Sequence, residues 1–89
     1  MFIKEVIIQN ASGFHIRPAQ LFVDKAAEFK SDIFVKGEDG VPIEAKSILG
    51  LMTMGLEKGA KITIEATGED EQEAVSALVE LVESKFGEE

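Results

Sequence analysis

The chain contains one histidine, and histidine is the only residue type present that works as a nucleophile or base near neutral pH without help. It lies in the segment Gly13-Phe14-His15-Ile16-Arg17-Pro18-Ala19. Pro18 suits the first turn of a helix, where its missing N–H costs little. Ile16, Ala19, Phe22, Val23 and Ala26 recur at the spacing of one helix face. His15 is therefore expected at a helix start, where backbone N–H groups lack partners and the dipole is positive. That is a ready site for an anion such as phosphate. The N–H groups of Ile16 and Arg17 are its natural donors, since Pro18 has none. Arg17 adds a guanidinium fork able to grip phosphate oxygens, and Gly13 lets the chain approach closely through an unusual φ. A neutral imidazole nitrogen facing this site can accept a phosphoryl group while its surroundings hold the added charge. A lone histidine at a helix start is also the pattern of a plain surface or capping residue, and residue types alone leave both readings open.

A second motif follows about thirty residues later: Lys46-Ser47-Ile48-Leu49-Gly50-Leu51-Met52. Ser47 is most simply a helix N-cap, worth about 1 kcal/mol. Ile48, Leu49, Leu51, Met52 and Met54 are too many apolar groups for one side of a two-turn helix. Either some face outward, where methionine adapts to several partners, or the helix is buried throughout in a thin core.

The elements that must hold these motifs are regularly punctuated. Phe2 to Gln9, rich in Ile and Val, predicts a strand, and Asn10-Ala11-Ser12-Gly13 a turn. Ser31 ends or follows the first helix. Asp32 to Lys36 and Val41 to Ala45 predict strands joined by a hairpin at Gly37-Glu38-Asp39-Gly40. Pro42 has no N–H for a ladder, which predicts an edge strand. Ser47 to Met54 predicts a short helix closed by Gly55 or Gly59. Ala60, Ile62, Ile64 and Ala66 alternate with Lys61, Thr63 and Glu65 in the cleanest strand of the chain. After Gly68, Asp70 and Glu73 look like a capping box. Val75, Leu78, Val79, Leu81, Val82 and Phe86 predict a long amphipathic helix stopping at Gly87. The order is β-α-β-β-α-β-α, the pattern of an open-faced sandwich with helices over one face of a sheet.

A length of 89 residues allows one domain, expected over 1–89, and leaves no room for a separate cofactor fold. With no cysteine and one histidine, disulfides are excluded and a transition-metal site is not expected; no cofactor is implied. The net charge of −8 is concentrated from Glu65 onward, where nine acids stand against one base, Lys85. The balance argues against direct nucleic-acid binding and against anionic membrane surfaces; the acidic segment reads as a solvated helix face. No apolar run approaches membrane-spanning length and no signal peptide is apparent, so a cytoplasmic protein without membrane insertion is expected.

Together, Gly13-Phe14-His15-Ile16-Arg17-Pro18-Ala19, Lys46-Ser47-Ile48-Leu49-Gly50-Leu51-Met52 and Lys58-Gly59-Ala60 resemble HPr, the histidine-containing phosphocarrier family of the bacterial phosphoenolpyruvate:sugar phosphotransferase system, of Gram-positive-like type. The resemblance runs over essentially the whole chain. It implies an α+β open-faced β-sandwich: a four-stranded antiparallel sheet in the order 1-4-2-3, with three helices on one face. It implies a stoichiometric carrier, not an enzyme that turns over substrate. His15 would take a phosphoryl group on its δ nitrogen from phosphorylated Enzyme I and pass it to an enzyme IIA. Arg17 would act with His15 in transfer, with Ser12, Ile16 and Arg17 binding the phosphate. Ser47 matches the serine modified by HPr kinase/phosphorylase in carbon catabolite repression, which brings in a catabolite repressor protein as a further partner. Gln20, Ile48, Leu49, Leu51 and Met52 match the partner-docking patch, and a monomer is expected. The chain departs from the family's pattern in bulky Phe14 and Ile16, in Asp24 where basic residues are common, in Leu49 where Met or Phe is frequent, and in a hairpin one residue longer, which moves the serine to position 47.

Two other readings fit the same residues. A regulatory relative, either a nitrogen-branch phosphocarrier or a corepressor lacking the active histidine, is weakened in its second form by the presence of His15. A small α/β interaction module with an idle histidine would show no phosphoryl acceptance at all.

Overall fold

The strand β1 (Phe2–Ile7) feeds a turn into α1 (Ile16–Ala26), and the chain returns through β2 (Asp32–Lys36) and β3 (Pro42–Glu44). Then come α2 (Ile48–Thr53), β4 (Lys61–Thr67), α3 (Glu71–Glu83) and a 3₁₀ turn at Lys85–Gly87. This computed structural model describes residues 1–87 apart from Ser12 and Phe14. The sheet is four-stranded and antiparallel in the order β1-β4-β2-β3. β4 is central, with Ile64 between Lys4 of β1 and Val35 of β2. Pro42 lies on the outer strand, where the loss of one N–H breaks no ladder.

Strand alternation builds the core. Val6, Ile33, Val35, Ile62, Ile64 and Ala66 turn to one face. Phe22 and Ala26 from α1, Leu51 from α2, and Val75, Leu78 and Val82 from α3 cover them. α1 packs against both α2 and α3, so all three helices share that face. No described helix is long and apolar enough to cross a membrane.

Three expectations need correction. Ile16 repeats at core spacing but lies at the extreme start of α1 and is 65% exposed; the buried stripe runs through Pro18, Ala19, Phe22 and Ala26. The long last helix ends at Glu83, and Lys85 and Phe86 take left-handed φ of 61° and 55°. The turn folds the Phe86 ring back into the core, and that burial offsets the backbone cost of about 1–2 kcal/mol per residue.

The capping box at Asp70 and Glu73 does not form. Asp70 makes no cap bond to α3. Its carboxylate instead accepts from the Ser31 hydroxyl and from the backbone N–H groups of Lys30 (2.9 Å) and Ser31 (3.0 Å). The Ser31 hydroxyl foremost, and the Lys30 amide after it, hold the Asp70 carboxyl below the usual carboxylate value. Glu71 does the reaching back, accepting the Gly68 N–H at 3.1 Å, which likewise lowers its pKa. Asp70 thereby ties the start of α3 to the α1–β2 turn. Lys46 ties in the approach to α2, donating to the carbonyls of Phe29 (3.0 Å) and Ser31 (3.3 Å).

Candidate functional site at the start of the first helix

His15 is the N-cap residue of α1, in extended conformation with φ −71° and ψ 179°. The first backbone bond of the helix runs from the Ala19 N–H to the His15 carbonyl at 2.9 Å. The N–H groups of Ile16 and Arg17 thus precede any intrahelical acceptor, and Pro18 contributes none. His15 caps nothing with its side chain, and it is exposed, as are Ile16 and Arg17. Among the described residues no carboxylate forms an ion pair with Arg17. The site therefore presents an imidazole, a guanidinium and two backbone donors on the outer end of an eleven-residue helix. Such a group favours a phosphoryl dianion over a cation. No group of three or more metal-ligating side chains gathers among the described residues. Ser12, expected at the phosphate, lies outside the described residues, as does Phe14.

The turn before His15 is held from two sides. Asn10 is buried, and its Nδ2 donates to the Gly13 carbonyl at 2.9 Å; the Gly13 N–H donates back to the Asn10 carbonyl at 3.2 Å. Gly13 has φ +58°, and a Cβ there would stand 2.4 Å from the Leu56 carbonyl oxygen and 2.9 Å from the Glu57 Cα. Only glycine fits that contact without moving the 56–57 backbone. Just beyond, the Gly59 N–H donates to the Ile8 carbonyl at 2.7 Å. The loop after α2 is thus the bed on which the histidine turn rests. Sequence reasoning saw in Asn10 only a turn residue. The available signal was the habit of asparagine of bonding its own nearby backbone.

Ser47 is the N-cap of α2, its Oγ accepting from the Gly50 N–H at 3.1 Å. Gly50 sits close against β3, where a Cβ would meet the Ile43 methyl at 2.8 Å. The apolar residues of α2 divide. Leu49 is 75% exposed and Met52 40%, Ile48 is half-buried, and Leu51 is fully buried in the core. The docking expectation therefore fails at Leu51, which faces inward because α2 has one side against the sheet and α1. Gln20 is exposed one turn after His15, where its amide donates to Asp24 at 2.7 Å. Ile16 and Leu21 add exposed apolar surface on α1, and Leu21 was not singled out from sequence.

Comparison with known proteins agrees with this geometry. A family model described as the PTS HPr component phosphorylation site matches residues 3–84. The phosphocarrier protein HPr of Borreliella burgdorferi is 47% identical over 81 residues, covering 91% of this chain and 93% of the relative. The HPr-like protein Crh of Halalkalibacterium halodurans is 43% identical over 82 residues, 92% of this chain and 96% of its own. The crystal structure of HPr-C-His from Thermoanaerobacter tengcongensis matches with a TM-score of 0.95 at 47% identity, covering 100% of this chain and 99% of that one. An exposed histidine at a helix start, on this sheet order and within this sequence match, places the chain in the HPr family, the phosphocarriers of the phosphotransferase system.

Proposed function

We propose that His15 is the phosphoacceptor, relaying a phosphoryl group in the cytoplasm from phosphorylated Enzyme I to sugar-specific enzyme IIA domains. The imidazole δ nitrogen attacks phosphorus as the donor's bond to phosphorus breaks. Arg17 and the N–H groups of Ile16 and Arg17 hold the three oxygens, with Ser12 as a further phosphate ligand. The single observation that carries this reading is His15 at the N-cap of α1, exposed, followed by two first-turn amides and by an exposed Arg17 that pairs with no carboxylate among the described residues. Charge stabilisation by fixed donors is what phosphoryl transfer asks of a protein. Gln20, Ile48, Leu49 and Met52 form the docking surface, α2 packing beside the helix that carries His15.

Ser47 is the proposed regulatory site, modified by an HPr kinase/phosphorylase and read by a catabolite repressor protein. Two relatives are named HPr-like protein Crh, one of them from Bacillus subtilis, and a solved Crh is described as a catabolite repression containing protein. The serine hydroxyl sits on a half-buried cap at the edge of the exposed apolar residues.

The deciding experiment is incubation with phosphoenolpyruvate and Enzyme I, followed by intact mass. One acid-labile phosphate on the parent chain and none on folded His15→Ala is expected. Transfer at a comparable rate to His15→Ala would remove His15 from the reaction.

A further inference from the structure

We infer that Asn10 is a positioning residue for phosphoryl transfer, setting the turn that aims His15, without itself touching the phosphate. The inference rests on the carrier reading above and adds to it the group that keeps the acceptor in register.

Among the described residues the His15 side chain makes no cap bond at the helix start. Its aim depends on where the backbone of Gly13 enters α1. Two restraints decide that entry. One is steric: the left-handed Gly13 is wedged against the Leu56 carbonyl, which bars the turn from moving toward the 56–57 loop. A wedge pushes in one direction only and does nothing against motion outward. The second restraint pulls. Asn10 is 1% exposed, and its Nδ2 holds the Gly13 carbonyl at 2.9 Å from within the protein. Asn10 follows the end of β1, and Ile8, two residues before it, is bonded to Ala60 and Gly59, so the anchor is tied to the end of the sheet. Push and pull together leave the residue two places before His15 with one position.

Asn10 is also the kind of residue that has to be explained. Burying an amide away from water is costly unless its bonds are made. Alanine, valine or isoleucine would fill a core position beside Ile8 without that demand. A buried amide committed to the carbonyl of a positive-φ glycine specifies a conformation in addition to filling space.

The consequence is kinetic. Transfer needs the imidazole nitrogen in line with phosphorus, with the amides of Ile16 and Arg17 facing the oxygens, and small displacements there cost rate steeply. The proposed docking residues are Gln20, within α1, and Ile48, Leu49 and Met52 of α2, none of them in this turn. Loss of Asn10 should therefore appear in kcat and not in the KM for the carrier.

The test uses the full chain with Enzyme I and phosphoenolpyruvate, measuring initial phosphorylation rates over a range of carrier concentrations at a temperature where melts show the variants folded. Asn10→Ala is expected to lower kcat about ten- to hundredfold with KM unchanged. Asn10→Ser, which keeps a donor on a shorter arm, is expected to fall between it and the parent, and it serves as the readable variant if Asn10→Ala does not fold. An unchanged kcat in either folded variant overturns the inference, as does a loss confined to KM or a failure of both variants to fold. If the parent chain itself gains no phosphate on His15, the carrier reading fails instead.

Discussion

Replacing Ser47 separates its two roles, cap and switch, because the structure assigns them opposite signatures. The Ser47 hydroxyl accepts from the Gly50 N–H at 3.1 Å, and α2 has only six residues. Ser47→Ala removes that acceptor and should cost about 1 kcal/mol, lowering the melting temperature by about 4–8 °C in a domain of this size. Ser47→Asp keeps an oxygen for the Gly50 N–H and adds a negative charge at the positive end of the helix, worth about 0.3–1 kcal/mol in its favour. Its melting temperature should lie near that of the parent or a few degrees above. Transfer should rank the other way. Leu49 and Met52 are the exposed apolar groups of the same helix. A carboxylate desolvated at their edge when Enzyme I docks costs about 1–3 kcal/mol, or about five- to 150-fold in the rate of His15 phosphorylation. Ser47→Ala leaves that edge uncharged and should transfer normally when folded. The assay pairs circular dichroism melts with initial phosphorylation rates from Enzyme I and phosphoenolpyruvate. A Ser47→Asp protein that melts as low as Ser47→Ala and transfers at the parent rate per folded molecule would leave Ser47 only a cap.

Arg17→Ala should slow transfer by about ten- to thousandfold with an unchanged melt, and Arg17→Lys should restore part of it, since a point charge lacks the fork; stopped-flow or quench kinetics reads this directly. Leu51→Ala should cost about 2–5 kcal/mol in chemical denaturation, whereas Leu49→Ala should stay within about 0.5 kcal/mol and raise the KM of Enzyme I for the carrier instead. Because the Asp70 carboxyl is held below its usual value, its stabilising bonds are complete above the unfolded carboxylate pKa of about 4, and they are lost as pH falls through the lower folded value. Melts of the parent and Asp70→Asn should therefore converge below about pH 4; a gap that stays constant with pH would remove the charge from the explanation.

How much of this was legible in the chain depended on the range of the interaction. The start of α1 could be read from Pro18 and the apolar spacing, because helix initiation is decided within one turn. The alternation of Ile62, Ile64 and Ala66 announced the central strand, and Pro42 placed β3 on an edge, since a missing donor acts where it stands. Those local facts also brought His15, Arg17 and two amides to one helix end, so the proposed acceptor followed from sequence. Tertiary structure decided the rest. A six-residue helix completes fewer than two turns, so periodicity could not say that Leu51 faces the sheet while Leu49 faces water. Ile16 matched the core spacing but stood beyond the layer it would have packed against. Asp70 left its expected cap for amides forty residues away in the chain. The bed under the histidine turn joins Gly13 to Leu56, a contact recorded in sequence only as an isolated glycine. Spacing encodes contacts within a turn or a strand; contacts between elements exist only once the sheet order has brought those elements together.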